Sequence, residues 1–253
     1  MKISVITVCF NAERFIKDAV YSVANQSYRF KEHIIVDGAS NDCTLQVLNA
    51  MRSDGMIFSC VSERDTGVYD AMNKGIHRAS GDVIGFLNSD DIYHHDDVLR
   101  DVANVFADEN VEVCFGDLEY VKRGDVSSVI RVWRSNVFEK GMFAKGWSPA
   151  HPTFFIRRSA IDKVGMYDLS ITIGNDVEWM MRALEVYDLK SVYLPDFLIR
   201  MRVGGISNSS IVGIISQNIN IIAALKKYKL WQGYCAFLCK KILNRFRQYF
   251  GGC

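Results

Sequence analysis

Two adjacent carboxylates, Asp90 and Asp91, come at the end of the apolar run at residues 83–87. A run of that length predicts a strand, and open α/β sheets bind their ligands beyond the carboxyl ends of the strands. Divalent cations such as Mg2+ and Mn2+ prefer oxygen ligands and are commonly held by one or two carboxylates together with substrate phosphates. The sequence therefore predicts a site for a metal and a diphosphate at this strand end.

Two further carboxylates occupy comparable places. Asp37 closes the apolar run at residues 34–36, where it can accept hydrogen bonds from a base or a ribose. Asp65 follows the run that ends at Val61 and precedes a helix-like segment. Taken alone, Asp37 also fits an ordinary turn aspartate. Carboxylates at three strand ends of one predicted sheet edge favour a binding site.

A further carboxylate, Asp176, stands between Gly174 and the amphipathic pattern at residues 177–187. This position predicts the start of a helix, where the carboxylate is either a cap with a favourable dipole contact or a catalytic group. His151 directly precedes Pro152 and a predicted strand. It is a candidate contact for a diphosphate or an acceptor, and a structural histidine is an equal alternative.

The elements that must position these side chains alternate in type. Strands are predicted at residues 3–8, 33–36, 56–61 and 83–87, and helices near residues 13–25, 42–51, 69–78 and 96–106. This βαβ order is typical of a doubly wound parallel sheet. Strands at 113–115 and 153–156, a hairpin through Arg123-Gly124-Asp125 and a helix at 177–187 follow. We therefore expect an α/β chain in which a second, mixed half continues the first sheet.

Composition supports a globular protein. The chain has 253 residues, of which 49% are hydrophobic, and no run approaches the roughly eighteen apolar residues of a membrane span. The amino terminus lacks the features of a secretory signal, so a cytoplasmic location is expected. Seven scattered cysteines without a Cys-x-x-Cys pair indicate reduced thiols rather than disulfides or a zinc site.

The carboxyl-terminal part is strongly basic. No acidic residue follows Asp196, whereas nine lysines and arginines do. Apolar and aromatic residues recur at spacings of three and four among them: Leu230, Trp231, Tyr234, Phe237, Leu238, Ile242, Phe246 and Phe250. The pattern predicts either an interfacial helix on an anionic membrane surface or a helix packed on the body with a solvated basic side. No nucleic-acid-binding motif accompanies the basic residues, so nucleic acid is not an expected partner.

Together these motifs resemble the family 2 glycosyltransferases with the GT-A fold, in particular bacterial members that build surface polysaccharides. The match is close over about the first hundred residues and looser to about residue 205. Its segments are 7–11, 36–40, 62–75, Gly81, 86–91, His151-Pro152, Asn175-Asp176 and 204–207. The resemblance implies a nucleotide-sugar-binding half at residues 1–110, an acceptor-binding and catalytic-base half at 111–205, and a helical tail at 206–253.

The resemblance also implies residue roles. Asp90 is the last residue of the family's D-x-D place and would bind Mn2+ or Mg2+, while Asn88 departs from that pattern. Asp176 matches the family's catalytic base, and Asn175 replaces the first acid of its E-D motif. The donor-binding candidates are Val8, Phe10, Asn11, Asp37, Asp65, Asn88, Ser89 and Asp90.

The implied activity is inverting, metal-dependent transfer of a sugar from a nucleotide-diphosphate donor to a hydroxyl acceptor. The expected acceptor is a lipid-linked saccharide of capsule, exopolysaccharide or lipopolysaccharide synthesis. Two alternative functions are a non-catalytic, membrane-associated assembly subunit and a sugar-phosphate nucleotidyltransferase. The joint presence of Asp90 and Asp176 favours an enzyme, and Cys9-Phe10-Asn11 is not the Gly-rich, Arg-bearing loop of a nucleotidyltransferase.

Overall fold

A computed structural model describes residues 1–204, 211–233 and 237. Nine strands form one sheet: β1 Ile3–Cys9, β2 Lys31–Asp37, β3 Ser59–Ser62, β4 Val83–Phe86, β5 Ile92–Tyr93, β6 Val113–Lys122, β7 Asp125–Trp133, β8 Phe155–Arg157 and β9 Ser191–Arg202. The helices are α1 Ile16–Ala24, α2 Thr44–Ser53, α3 Val68–Arg78, α4 Val98–Val105, α5 Arg158–Val164, α6 Asn175–Met181 and α7 Ile211–Lys227.

The sheet is parallel in its first half and mixed in its second. The strand order is β3-β2-β1-β4-β8-β6-β9-β5, and β7 pairs with β6. The first four strands of the chain are mutually parallel, whereas β8 lies antiparallel to both β4 and β6. One sheet therefore runs through both halves, with the carboxyl ends of β1 to β4 at a common edge.

Helices cover both faces of the sheet, which explains why its strands are apolar on both sides. Ile3 and Val5 of β1 lie in a cluster with residues of α1 and α4, whereas Ile6 lies in the cluster that contains α3 and α6. α2 packs beside α1 through Leu48 and Met51. The parallel half is thus a three-layer α/β arrangement.

Several predicted boundaries differ from the observed ones. The strand predicted at 153–156 begins two residues later, as β8, and a 3-10 turn, His151–Thr153, precedes it. The helix predicted at 177–187 begins two residues earlier, as α6, and continues as a π-helical segment, Arg182–Val186. α6 begins where Gly174 takes a φ of 80°, a left-handed value that glycine adopts without strain.

The carboxyl-terminal predictions are only partly within the described residues. Leu230 and Trp231 pack against the main core, and Phe237 is 1% exposed within it. The described part leaves out residues 205–210, which include part of the predicted 204–207 motif. It also leaves out the remaining tail residues, 234–236 and 238–253. Within the described part, no helix is both long and apolar enough to cross a membrane.

Candidate active site

Asp37 is fully buried at the carboxyl end of β2. Its oxygens accept hydrogen bonds from Ser62 Oγ at 2.6 Å, from the Ser40 backbone N–H at 3.0 Å and from the Ser40 hydroxyl. Cys9, its parallel partner on β1, also donates its thiol to this carboxylate. Asp37 therefore ties three consecutive strand ends together, and its position at this edge agrees with the predicted place.

Asp65 and Phe10 approach Asp37's neighbour, Gly38. A β-carbon added to Gly38 would stand 2.5 Å from Asp65 Oδ2 and 3.5 Å from the Phe10 ring. The Phe10 side chain is 60% exposed, an unusual state for a large apolar ring, and Asp65 is half-buried. An aromatic face and a carboxylate thus flank one patch of bare backbone, an arrangement suited to a base and a ribose.

The loop after β1 is held by polar contacts to the loop after β2. Asn11 adopts a φ of 52° and accepts the Asn41 backbone N–H at 3.0 Å, while its own N–H donates to Ser40 Oγ at 2.8 Å. Val8, at the end of β1, is partly buried against the main core. The side chains of Val8 and Asn11 therefore shape the same sheet edge as Asp37 and Asp65.

The turn after β4 gives its two aspartates, Asp90 and Asp91, different surroundings. Asp91 is fully buried, accepts Asn88 Nδ2 at 2.8 Å and the Arg202 backbone N–H at 3.0 Å, and holds the turn. Burial, reinforced by the charge of Asp90, raises the pKa of Asp91. Asp90 and Ser89 are half-buried, and the Asp90 carboxylate receives no hydrogen bond from the described residues. Of the predicted acidic pair, Asp90 alone has its side chain available to a ligand.

Arg202 fastens this turn through hydrogen bonds to Asp90 and Asp91. It was not among the predicted site residues. Its guanidinium is 5% exposed, forms an ion pair with Asp18 at 2.6 Å and donates to the backbone carbonyl of Asp90. The cation also lies 4.7 Å from the centre of the Phe15 ring. The sequence offered no signal for this contact because it joins residues more than a hundred positions apart.

The oxygen donors at this turn fit a hard divalent cation. Asp90 provides an unengaged carboxylate, and Mg2+ or Mn2+ needs only one or two protein carboxylates where a diphosphate supplies further oxygens. Elsewhere among the described residues, ligand atoms of His95, Asp101 and Asp196 lie within 4.8 Å of one another. That group is engaged internally, because His95 is hydrogen-bonded to Asp196 at 3.0 Å.

Asp176 lies at the start of α6, as predicted, and is half-buried. Its Oδ1 accepts the phenol O–H of Tyr69, from the first turn of α3, at 3.2 Å. Within the described part of the chain this is the one hydrogen bond that the Asp176 side chain makes. Tyr69 lies inside the family-like 62–75 segment, but the sequence assigned it no role.

His151 lies close enough to Asp176 to sense its charge. The imidazole is buried, stacks on Phe86 with ring centres 5.2 Å apart and is hydrogen-bonded to the Tyr167 hydroxyl at 2.7 Å. Burial lowers the pKa of His151, and the charge of Asp176 acts in the opposite direction. These contacts suit a structural histidine, while a diphosphate or acceptor contact stays a prediction.

Asn175, the departure from the family's E-D motif, is fully buried. Its Nδ2 donates to the backbone carbonyl of Asp168 at 2.7 Å, and its Oδ1 has no partner among the described residues. The amide therefore fastens the loop before α6. Asn175 contributes to the position of Asp176 through the backbone.

Comparisons with known sequences agree on one family. The model of glycosyl transferase family 2 matches residues 4–165. A protein of Mycobacterium tuberculosis described as an uncharacterized glycosyltransferase is 33% identical over 183 residues, which cover 72% of this chain and 68% of that protein. A putative teichuronic acid biosynthesis glycosyltransferase of Bacillus subtilis is 40% identical over 95 residues, 37% of this chain and 38% of its own length.

Solved structures show the same fold. TarS 1-349 of S. aureus superposes with a TM-score of 0.67 at 18% identity, covering all of this chain and 74% of that one. A mannosyltransferase of Pyrobaculum calidifontis, solved with GDP-Man and Mn2+, gives a TM-score of 0.66 at 17% identity, with 98% and 69% covered. The fold is therefore the GT-A type of α/β fold, as predicted. With the family match spanning more than half of its residues, this chain belongs to glycosyl transferase family 2 and is a glycosyltransferase.

Proposed function

We propose that this enzyme transfers a sugar from a UDP-sugar to a hydroxyl acceptor with inversion, using a divalent metal at Asp90 and Asp176 as the base. The observation that carries the proposal is that both carboxylates are half-buried and free to meet a ligand, while their neighbours Asp91 and Asn175 are fully buried. The choice of UDP rests on TarS, a protein of the same fold solved with UDP-GlcNAc at a TM-score of 0.66.

The donor half binds and orients the nucleotide. The exposed Phe10 ring offers a face to the base, and Asp65 offers carboxylate oxygen to the ribose, while the buried Asp37 fastens the ends of β1, β2 and β3. Asn88, Ser89 and Asp90 would line the diphosphate, and a cation held at Asp90 would supply positive charge against the charge that develops on the leaving diphosphate. Arg202, by fixing the Asp90 carbonyl, keeps the turn in place.

Asp176 acts on the acceptor. A carboxylate with one oxygen bonded to Tyr69 has its other oxygen available for the proton of an acceptor hydroxyl. The hydroxyl oxygen then forms a bond to the anomeric carbon while the bond to the diphosphate breaks on the opposite face. A single displacement of this kind inverts the anomeric configuration and needs no second nucleophilic carboxylate, unlike retaining hydrolysis.

A cleft lined in part by Tyr69, which is hydrogen-bonded to Asp176, suits the acceptor. Residues 66–70 at the start of α3 form one wall, and Leu169, Ile171 and Thr172 form the other. Two apolar side chains at the cleft, Val68 and Leu169, are 47% and 51% exposed. Because the apolar C–H faces of a saccharide pack on such surfaces, we infer that the acceptor is a saccharide that enters here.

The substitution Asp176→Asn tests the base assignment. It keeps the size and the contact to Tyr69 but cannot accept a proton, so transfer should be abolished while UDP binding by calorimetry is unchanged. Asp162→Asn, an exposed carboxylate of α5, is the matched control and should transfer normally. Full turnover by the Asp176 variant would refute the assignment.

The polysaccharide role and membrane contact are further parts of the proposal. Relatives include proteins named for teichuronic acid and for PGL/p-HBAD biosynthesis, so a lipid-linked saccharide acceptor is consistent with them. The basic tail would bring the enzyme to an anionic membrane surface.

Sedimentation with vesicles tests the membrane contact. Replacing Lys240, Lys241, Arg245 and Arg247 by Gln should release the protein from phosphatidylglycerol vesicles. Gln at four exposed cations of the body, Arg100, Lys140, Lys163 and Lys190, should not. Equal retention of both variants would reject the membrane-binding tail.

A further inference from the structure

The hydroxyl of Tyr69 is hydrogen-bonded to the Asp176 carboxylate. It donates to Oδ1 at 3.2 Å, and no other side chain among the described residues donates to that carboxylate. Burial, together with the negative charge of Asp176, raises the pKa of Tyr69, so the phenol stays neutral and remains a donor throughout the working pH range. The carboxylate is therefore held by one oxygen while the other is left for a substrate.

The Tyr69 ring is held by stacking and its helix by hydrogen bonds, so the hydrogen bond that the phenol offers is preorganised. Tyr69 stacks on Tyr167 with ring centres 5.5 Å apart, and Tyr167 stacks on the buried Trp179 of α6 at 4.7 Å. One turn further along α3, Asn73 exchanges two hydrogen bonds of 3.0 Å with the backbone of Tyr167. The helix that carries Tyr69 is thus locked to the segment that leads into α6.

We propose that Tyr69 is a positioning residue for the base: its phenol orients Asp176 toward the acceptor hydroxyl. This inference rests on the proposed function only in calling Asp176 the base. A hydrogen bond donated to the charged form of an acid favours that form. Among the described residues, the other titratable groups that face Asp176 are His151 and Tyr167, both neutral because they are buried.

The decisive test measures the Asp176 carboxyl itself. A 13C NMR spectrum of the full chain at one fixed pH, with the Asp176 signal assigned from Asp176→Asn, compares wild type with Tyr69→Phe. Removing the donor should shift the signal of the Asp176 carboxyl carbon, because that carbon senses the hydrogen bond to its oxygen. Tyr193→Phe is the matched control, because it removes a phenol that donates to the buried Asp117 at 2.9 Å elsewhere in the fold, and it should leave the Asp176 signal unchanged.

Kinetic measurements on Tyr69→Phe provide a second test. For UDP release from UDP-GlcNAc with Mn2+, Tyr69→Phe should lower kcat about tenfold, leave KM for the donor unchanged and move the acid limb of the pH profile upward. If Tyr69→Phe does not fold, 3-fluorotyrosine incorporated at position 69 keeps the ring and strengthens the donor, and should shift the Asp176 carboxyl signal from its wild-type position.

The possible results distinguish the positioning role of Tyr69 from the assignment of Asp176 as the base. Loss of transfer in Asp176→Asn with an unchanged Asp176 carboxyl signal in Tyr69→Phe would overturn the role of Tyr69 and leave the base assignment intact. Full turnover by Asp176→Asn would overturn the base assignment and with it the role of Tyr69. An unchanged carboxyl signal with 3-fluorotyrosine would likewise refute the hydrogen bond.

Discussion

Gly38→Ala should weaken nucleotide binding without weakening the fold. The new β-carbon would stand 2.5 Å from Asp65 Oδ2, whereas ordinary contact begins at 3.4 Å, so the carboxylate must retreat by about 0.9 Å. Gly38 has no left-handed φ, and alanine therefore adds no backbone strain there. The clash is relieved by movement of a half-buried side chain, which costs little stability but displaces a donor-binding group.

The size of the effect follows from that displacement. A hydrogen bond of about 2.8 Å to a ribose hydroxyl, lengthened by most of an ångström, passes the limit of useful geometry. Hydrogen bonds to charged groups contribute roughly 1.5 kcal/mol or more, so Kd for UDP should rise about tenfold or more. Gly124→Ala, in the β6–β7 turn with nothing within 4 Å of its added β-carbon, is the matched control.

Calorimetric titration with UDP and Mn2+, beside urea unfolding, measures both quantities. The Asp65→Ala background provides a closed cycle: with the carboxylate gone, Gly38→Ala should add little further loss. Wild-type affinity in Gly38→Ala would refute the role of Asp65. An equal loss with and without Asp65 would show that the methyl group obstructs the nucleotide directly.

Three more predictions concern the metal, the core and pH. Asp90→Asn should lose the gain in UDP affinity that Mn2+ gives to the wild type, and in EDTA the two proteins should bind UDP equally. A gain retained by the variant would place the metal elsewhere. Gly85→Ala puts a β-carbon 2.4 Å from the buried Phe155 ring and should lower the free energy of unfolding by about 1–3 kcal/mol in urea, whereas Gly124→Ala should not. Burial lowers the pKa of His33 to about 3, below its unfolded value of 6.5. The contribution of neutral His33 to the free energy of unfolding is therefore complete above pH 6.5 and is lost as the pH falls, by at most about 1.4 kcal/mol per pH unit. His33→Gln should flatten that dependence of the urea midpoint between pH 6.5 and 4, and an unchanged slope would contradict it.

The sequence was informative where chemistry is local in the chain. The runs that end at Asp37 and Asp90 are parallel strands whose carboxyl ends share one edge, as the βαβ rhythm predicted. The start of α6 at Asp176 was also visible, because a glycine followed by an amphipathic pattern reports local backbone geometry. Resemblance of the ordered motifs was sufficient to predict the family and its fold.

Tertiary structure decided which member of each polar pair meets a ligand. Asp90 and Asp91 are equivalent in the sequence, but Arg202 and Asn88 bind Asp91 inside the fold and leave the Asp90 carboxylate open. Likewise, Tyr69 reaches Asp176 across 107 positions of sequence. Periodicity and strand-end position are local properties, so the chain displays them directly. Orientation and hydrogen-bond pairing depend on contacts between distant segments, which exist only once the sheet and its helices have packed.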